Sequence, residues 1–134
     1  MEFKEAVTRN LRTSEGLFKF SGRASRAEML WFWLFSMIWT YGSLFIGAIV
    51  IAGLITITGG LGVTVGVVAV LAWYASLFVI GIQSLALFVR RMHDVNRSGW
   101  WYLLAFTGIG VFVLIYWVLQ PGHKGVNQYG KKAA

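Results

Sequence analysis

Two short stretches of the chain hold the side chains most able to do chemistry. One carries Arg23, Arg26 and Glu28, and the other carries Arg90, Arg91, His93, Asp94 and Arg97. An arginine presents a planar, permanently charged fork that fits phosphate and carboxylate groups. The arginines of this set outnumber its acids, so an anionic lipid head group is the natural ligand. Pairing within the set is equally natural, Glu28 with Arg90 or Arg91 and Asp94 with Arg23 or Arg26. His93 beside Asp94 could move a proton, but no nucleophile motif accompanies them, and no catalytic residue is assigned. His123 is the only other histidine, and two isolated imidazoles make a poor metal site. No metal or cofactor is expected, and all eight residues are expected to act as a head-group site or as a structural ion-pair cluster.

The elements that must position these residues follow from composition. Of 134 residues, 57% are hydrophobic and 13% charged, with a mean hydropathy of +0.67; soluble domains carry about 25% charged residues. A small water-soluble domain leaves too much surface exposed to hide so much apolar area, so part of the solvent must be lipid. The composition excludes disorder, and the absence of cysteine excludes a disulfide scaffold.

No charged residue occurs from Met29 through Val89, nor again from Ser98 through His123. A transmembrane helix needs about 20 apolar residues, so the first gap suits two crossings, about Leu30 to Leu54 and about Leu61 to Phe88. Thr58, Gly59 and Gly60 supply the break between them. Only helices and closed barrels satisfy their backbone in lipid, and this chain has too few segments for a barrel. The expected fold is an all-α, polytopic integral membrane protein forming one domain. Residues 1–24 are an interfacial segment, 25–89 a two-helix transmembrane hairpin, 90–99 a basic loop, 100–119 a third hydrophobic segment and 120–134 a polar tail.

Within the first segment, residues 2–12 read as a short amphipathic helix on the membrane surface, with Phe3, Ala6, Val7 and Leu11 on one face. The polar and mixed residues ahead of the first apolar run do not read as a secretory signal peptide. Ser25 and Glu28 have the spacing of a capping box, in which each side chain satisfies a backbone donor of the first helical turn. The basic residues Lys4, Arg9, Arg12, Lys19, Arg23 and Arg26 place the N-terminus in the cytoplasm by the positive-inside rule. The Gly59 turn then lies outside, and the Arg90 to Arg97 loop returns inside.

The segment from Trp100 to Leu119 is long enough for a third crossing, yet that would export Lys124, Lys131 and Lys132. Gly108 and Gly110 at its centre favour a re-entrant hairpin with both termini cytoplasmic, and a third span is the alternative. Gly62 and Gly66, Ser43 and Gly47, and Ala72 and Ser76 are small-residue pairs that let helices approach closely, either within the chain or in a homo-oligomer. Trp31, Phe32, Trp33, Trp100, Trp101 and Tyr102 read as interfacial aromatics. Gln83 is a lone amide at depth, suited to an interhelical hydrogen bond. Asn96-Arg97-Ser98 fits the glycosylation pattern, which means little in a cytoplasmic loop. The net charge of +7 is spread over flanks that the membrane explains, and no nucleic-acid motif is present.

Three stretches together resemble a known family: Phe20-Ser21-Gly22-Arg23-Ala24-Ser25-Arg26-Ala27-Glu28 with Trp31 and Phe32, then Arg90-Arg91-Met92-His93-Asp94-Val95-Asn96-Arg97-Ser98-Gly99-Trp100-Trp101, and the tail Pro121-Gly122-His123-Lys124-Gly125-Val126-Asn127-Gln128-Tyr129-Gly130. In this order they resemble the small bacterial inner-membrane proteins grouped as domain of unknown function 805. That family has Leu at the position of Met92, often has Pro-x-Ile-Gly where this chain has Thr107-Gly108-Ile109-Gly110, and has Thr at the position of His123. The resemblance implies an inner-membrane protein and supports grouping the two charged motifs, but implies no activity. The function expected is a non-enzymatic membrane module whose cytoplasmic-face cluster binds anionic phospholipid or a partner protein. A small oligomeric channel or transporter is the alternative, and a lipid-modifying enzyme using His93 and Asp94 is a third reading.

Overall fold

The computed structural model describes residues 2–11 and 18–131. Its helices are α1 (Phe3–Leu11), α2 (Arg26–Thr58), α3 (Gly60–Asp94), a 3-10 helix (Gly99–Thr107) and α4 (Gly110–Leu119). Helices α2 and α3 are each long and apolar enough to cross a membrane, and their most apolar stretches are almost wholly uncovered by protein. A helix in a soluble core would be covered, so the architecture is that of an all-α membrane protein. Both helices run past the spans expected for them. Residues 90–94, expected in a basic loop, form the last turn of α3 instead.

The chain packs as two compact units, residues 34–81 and the remainder, so that α2 and α3 each contribute to both. In the first, Gly59 makes the turn between the helices with a left-handed φ of 59°, a conformation that glycine adopts without strain. Gly62 and Gly66 lie against the helix that precedes them. A Cβ on Gly62 would sit 2.5 Å from the Leu54 carbonyl oxygen, and one on Gly66 would sit 3.0 Å from Ile51 Cγ2. Their small size serves this close approach within the chain. Two tryptophans add polar ties: Trp39 donates to Ser76 Oγ at 3.2 Å and Trp73 to Ser43 Oγ at 2.8 Å.

The second unit holds both charged motifs, and its backbone turns are specified residue by residue. Helix α3 ends in a Schellman motif: the Arg97 amide bonds the Met92 carbonyl at 2.8 Å, and the Asn96 amide bonds that of His93 at 3.1 Å. Asn96 takes the left-handed position with φ 61°, which asparagine tolerates better than most residues. Ser98 then caps the 3-10 helix by accepting from the Trp100 amide at 3.4 Å.

The third hydrophobic segment folds back on itself. Gly108 has φ 70° and ψ −62°, and the Ile109 amide bonds the Thr107 carbonyl across it at 2.8 Å, which is a γ-turn. Gly110 is needed for a different reason, because a Cβ there would lie 2.1 Å from the Leu104 carbonyl oxygen. The two arms meet, with Trp101 edge-on to Trp117 at 5.4 Å between ring centroids. The start of the 3-10 helix lies against Val89, and the end of α4 lies against Arg91, so the segment leaves α3 and returns to it. The glycines make the break without the proline that the family resemblance would have supplied.

Candidate functional site

Each arginine of the two motifs has a different environment. Successive residues on a helix point about 100° apart, so neighbouring Arg90 and Arg91 in the last turn of α3 serve different partners. Arg90 faces α1 and α2. Its guanidinium pairs with Glu28 Oε1 at 3.4 Å and donates to the Asn10 side-chain oxygen. Asn10 in turn donates to Glu28 Oε1 at 3.1 Å and to the Ala6 carbonyl at 2.8 Å. Asn10, Glu28 and Arg90 are all buried. Burial works against the charged form of Arg90, and Glu28 opposes it.

This triad changes the role expected of α1. The buried face of the helix contains Ala6 and Asn10, while Leu11 stays exposed and Phe3 packs edge-on against Trp31 at 5.7 Å. A buried acid and arginine need hydrogen-bonding partners, and Asn10 supplies both a donor and an acceptor. Asn10 was missed as a site residue. Its position four residues after Ala6 on the apolar face was the available signal. Ser25 caps α2 as expected, accepting from the Glu28 amide at 3.2 Å. The Glu28 carboxylate turns away from the cap toward Asn10 and Arg90, so only half of the capping box forms.

Arg91 and Asp94 face the end of α4. The Arg91 guanidinium pairs with Asp94 Oδ2 and donates to the carbonyls of Val118, at 3.0 Å, and Gln120. Arg26, exposed, donates to the Leu119 carbonyl at 3.3 Å. The last carbonyls of a helix have no donor within it and form its negative end. Two arginines therefore cap α4 and hold the folded-back segment at its exit. Burial disfavours the charge on Arg91, and Asp94 offsets this. Arg97 lies over the Trp117 ring, its guanidinium carbon 3.9 Å from the centroid, a cation–π contact.

Arg23 organises the tail. Its Nε and one terminal nitrogen each lie 2.8 Å from Asp94 Oδ1, and its remaining N–H groups donate to the carbonyls of His123 at 2.5 Å, Gly125 at 2.7 Å and Gly130 at 3.3 Å. The tail is tied further by the His123 amide to the Asp94 carbonyl at 2.8 Å and by the Asn127 side chain to the His93 carbonyl at 2.8 Å. Tyr129 stacks flat on His93, with ring centroids 3.8 Å apart. Gly122 fits because a Cβ would lie 2.0 Å from Asp94 Oδ2. The tail's part in the site was not legible beforehand, since it provides backbone carbonyls rather than side chains.

His93 lies beyond the uncharged stretch that ends at Val89. Its Nδ1 is 3.1 Å from the Gly22 carbonyl oxygen, which can only accept, so Nδ1 carries the proton. Burial lowers its pKa, partly opposed by that hydrogen bond. His123 stands apart on the exposed tail. Among the described residues, no group of His, Asp and Glu is placed to hold a metal ion. The geometry thus joins Glu28 to Arg90 and Asp94 to Arg23 and Arg91, and leaves Arg26 and Arg97 with most of their donors unused.

Comparison with known proteins places the chain in a family. A family described as a protein of unknown function, DUF805, matches residues 17–131. Inner membrane protein YhaI of Escherichia coli K12 is 37% identical over 112 residues, covering 83% of this chain and 82% of that protein. Inner membrane protein YhaH of the same strain is 30% identical over 115 residues, covering 83% and 84%. No solved structure matches the chain.

Proposed function

The chain belongs to the DUF805 family, and on that footing we propose that it is a non-enzymatic, multi-pass module of the bacterial inner membrane. Its basic face binds anionic phospholipid head groups, or a partner protein carrying the same anionic chemistry. The N-terminus is cytoplasmic, and the third hydrophobic segment re-enters rather than crosses, so the tail lies on the same side.

The observation that carries this reading is the division of labour among the arginines. Arg23, Arg90 and Arg91 are buried and their guanidinium groups pair with side-chain and backbone oxygens of the chain itself, Arg90 Nε alone of these donors having no partner among the described residues. Arg26 spends one donor, and the Arg97 donors meet no protein acceptor among the described residues. The buried arginines hold the fold, and the other two face outward with charge to spare. A basic residue near an anionic membrane surface contributes about 1 kcal/mol, enough to bias which lipids stay. Gly62 and Gly66, the small-residue pair open to self-association in the sequence, face their own hairpin instead.

The test is native mass spectrometry of the protein released from mixed vesicles of phosphatidylglycerol and phosphatidylethanolamine. The combined Arg26→Ala and Arg97→Ala variant is expected to retain less phosphatidylglycerol relative to phosphatidylethanolamine than the unaltered chain. An unchanged ratio contradicts the head-group reading. A labelled lipid converted to a product, with conversion lost in His93→Ala, would replace it with an enzymatic one.

A further inference from the structure

Beside the arginine cluster, the same unit contains a cavity of about 490 Å³. Its walls come from the segment ahead of α2 (Phe20), from α3 (Leu85, Val89, His93), and from the 3-10 helix (Leu103) with its cap Ser98. His93 lies eight positions after Leu85 on α3, a length of about 12 Å at about 1.5 Å per residue. The cavity is apolar along that length and polar at one end only. A cavity of this shape suits an amphiphile with a long apolar part and a compact polar head.

The polar end offers one acceptor and one donor. His93 donates from Nδ1 to Gly22, so Nε2 is left as an acceptor. The Ser98 hydroxyl oxygen accepts from the Trp100 amide, which leaves its proton free to donate. The charge around this end is positive. Lys19 and Arg97 immediately precede the cavity residues Phe20 and Ser98, while the nearby acid Asp94 is buried and neutralised by Arg23 and Arg91. Trp100, 80% exposed, and Leu103, 57% exposed, continue the apolar lining outward. In a membrane protein that surface meets acyl chains.

We infer that this cavity holds one acyl chain of a membrane phospholipid, with its glycerol ester and phosphate at the His93 and Ser98 end. The chain lies along α3 between Leu85 and Val89 on one side and Leu103 on the other. Ser98 donates to an ester or phosphate oxygen, and His93 Nε2 accepts from a hydroxyl or ammonium of the head group. Lys19 and Arg97 compensate the phosphate. This deepens the proposed function by giving the lipid a defined seat, and it rests on that reading for the identity of the membrane but not for the head-group preference.

The test is photocrosslinking in vesicles of phosphatidylcholine containing a trace of phosphatidylglycerol or phosphatidylethanolamine with a diazirine in one acyl chain, followed by mapping of the labelled residues. The expected result is labelling of Leu85, Val89 and Leu103 about tenfold above that of Phe106 and Phe112, which are 81% and 74% exposed and report passing lipid; tenfold corresponds to about 1.4 kcal/mol. Leu103→Trp, which fills the cavity from an exposed position, should abolish the excess while the Phe106 signal persists. Enrichment with both probes supports the seat and counts against the anionic preference. Labelling no greater than at Phe106 overturns the seat and leaves the Arg26 and Arg97 reading to its own test. Crosslinks from cavity residues to a second copy of the chain, in place of lipid, also overturn it.

Discussion

Replacing Asp94 with asparagine removes one negative charge and almost no volume. The carboxylate is buried and is shared by Arg23 and Arg91, with Arg23 Nε and a terminal nitrogen both at 2.8 Å. Removing one partner of a buried ion pair costs about 3 to 5 kcal/mol, because the other charge is left uncompensated. Here two guanidinium groups lose their shared counter-charge, and the new amide nitrogen faces a donor, so the upper part of that range is expected. Total stabilities run to about 5 to 15 kcal/mol, which makes such a loss readily measured. Arg26→Ala is the control: its single contact is exposed and long, at 3.3 Å, and should cost no more than about 1 kcal/mol. Equilibrium unfolding in mixed micelles would compare the two variants. Hydrogen exchange at the His123 amide, which bonds the Asp94 carbonyl at 2.8 Å, would report tail release directly. An Asp94→Asn variant within about 1 kcal/mol of the unaltered chain, with the His123 amide still protected, would refute the reasoning that this pair anchors the tail.

Gly122→Ala should release the tail through steric conflict with Asp94, whereas Gly125→Ala, whose nearest neighbour would be His123 at 3.8 Å, should not; limited proteolysis of the tail distinguishes them. Gln83 is buried, and neither its amide nitrogen nor its oxygen has a partner among the described residues. Gln83→Leu should therefore raise stability by about 1 to 3 kcal/mol, and a fall in the unfolding midpoint would show that the amide is satisfied by bound water. His93 is held below the ordinary value of about 6.5 by burial. The detached state then takes up protons more readily than the folded one, so the stability His93 contributes is complete above about pH 6.5 and is lost as pH falls through the folded pKa. Exchange at the Asn127 amide should accelerate over that interval, and less so in His93→Gln.

The parts of the molecule set by periodicity and charge gaps were legible in the residues. The uncharged run from Met29 to Val89 encodes two long helices, and the Gly59 and Gly108 breaks fall where glycine alone bends without strain. Of the alternative ion pairs, Glu28 with Arg90 and Asp94 with Arg23 form, while Arg26 turns to the end of α4 instead. The choice between Arg90 and Arg91 depends on which side of α3 each leaves, a matter of about 100° per residue that pairing rules ignore. Asn10 escaped notice because a lone amide on an amphipathic helix has no motif. The tail escaped because Arg23 is met by carbonyls of His123, Gly125 and Gly130, and a backbone carbonyl has no sequence signature. Sequence thus located the charged groups but could not tell which of them the fold itself consumes.

The central claim is that the third hydrophobic segment re-enters the membrane and returns, capped by Arg91 and Arg26, so that the tail shares a side with the N-terminus. The chain contains no cysteine, so single cysteines at Lys124, exposed on the tail, and at Gly60, exposed beside the turn with open space for a side chain, can be probed with a membrane-impermeant maleimide in intact spheroplasts. The account predicts labelling of Gly60→Cys from outside and of Lys124→Cys only after the membrane is opened. Labelling of Lys124→Cys in intact spheroplasts would contradict it.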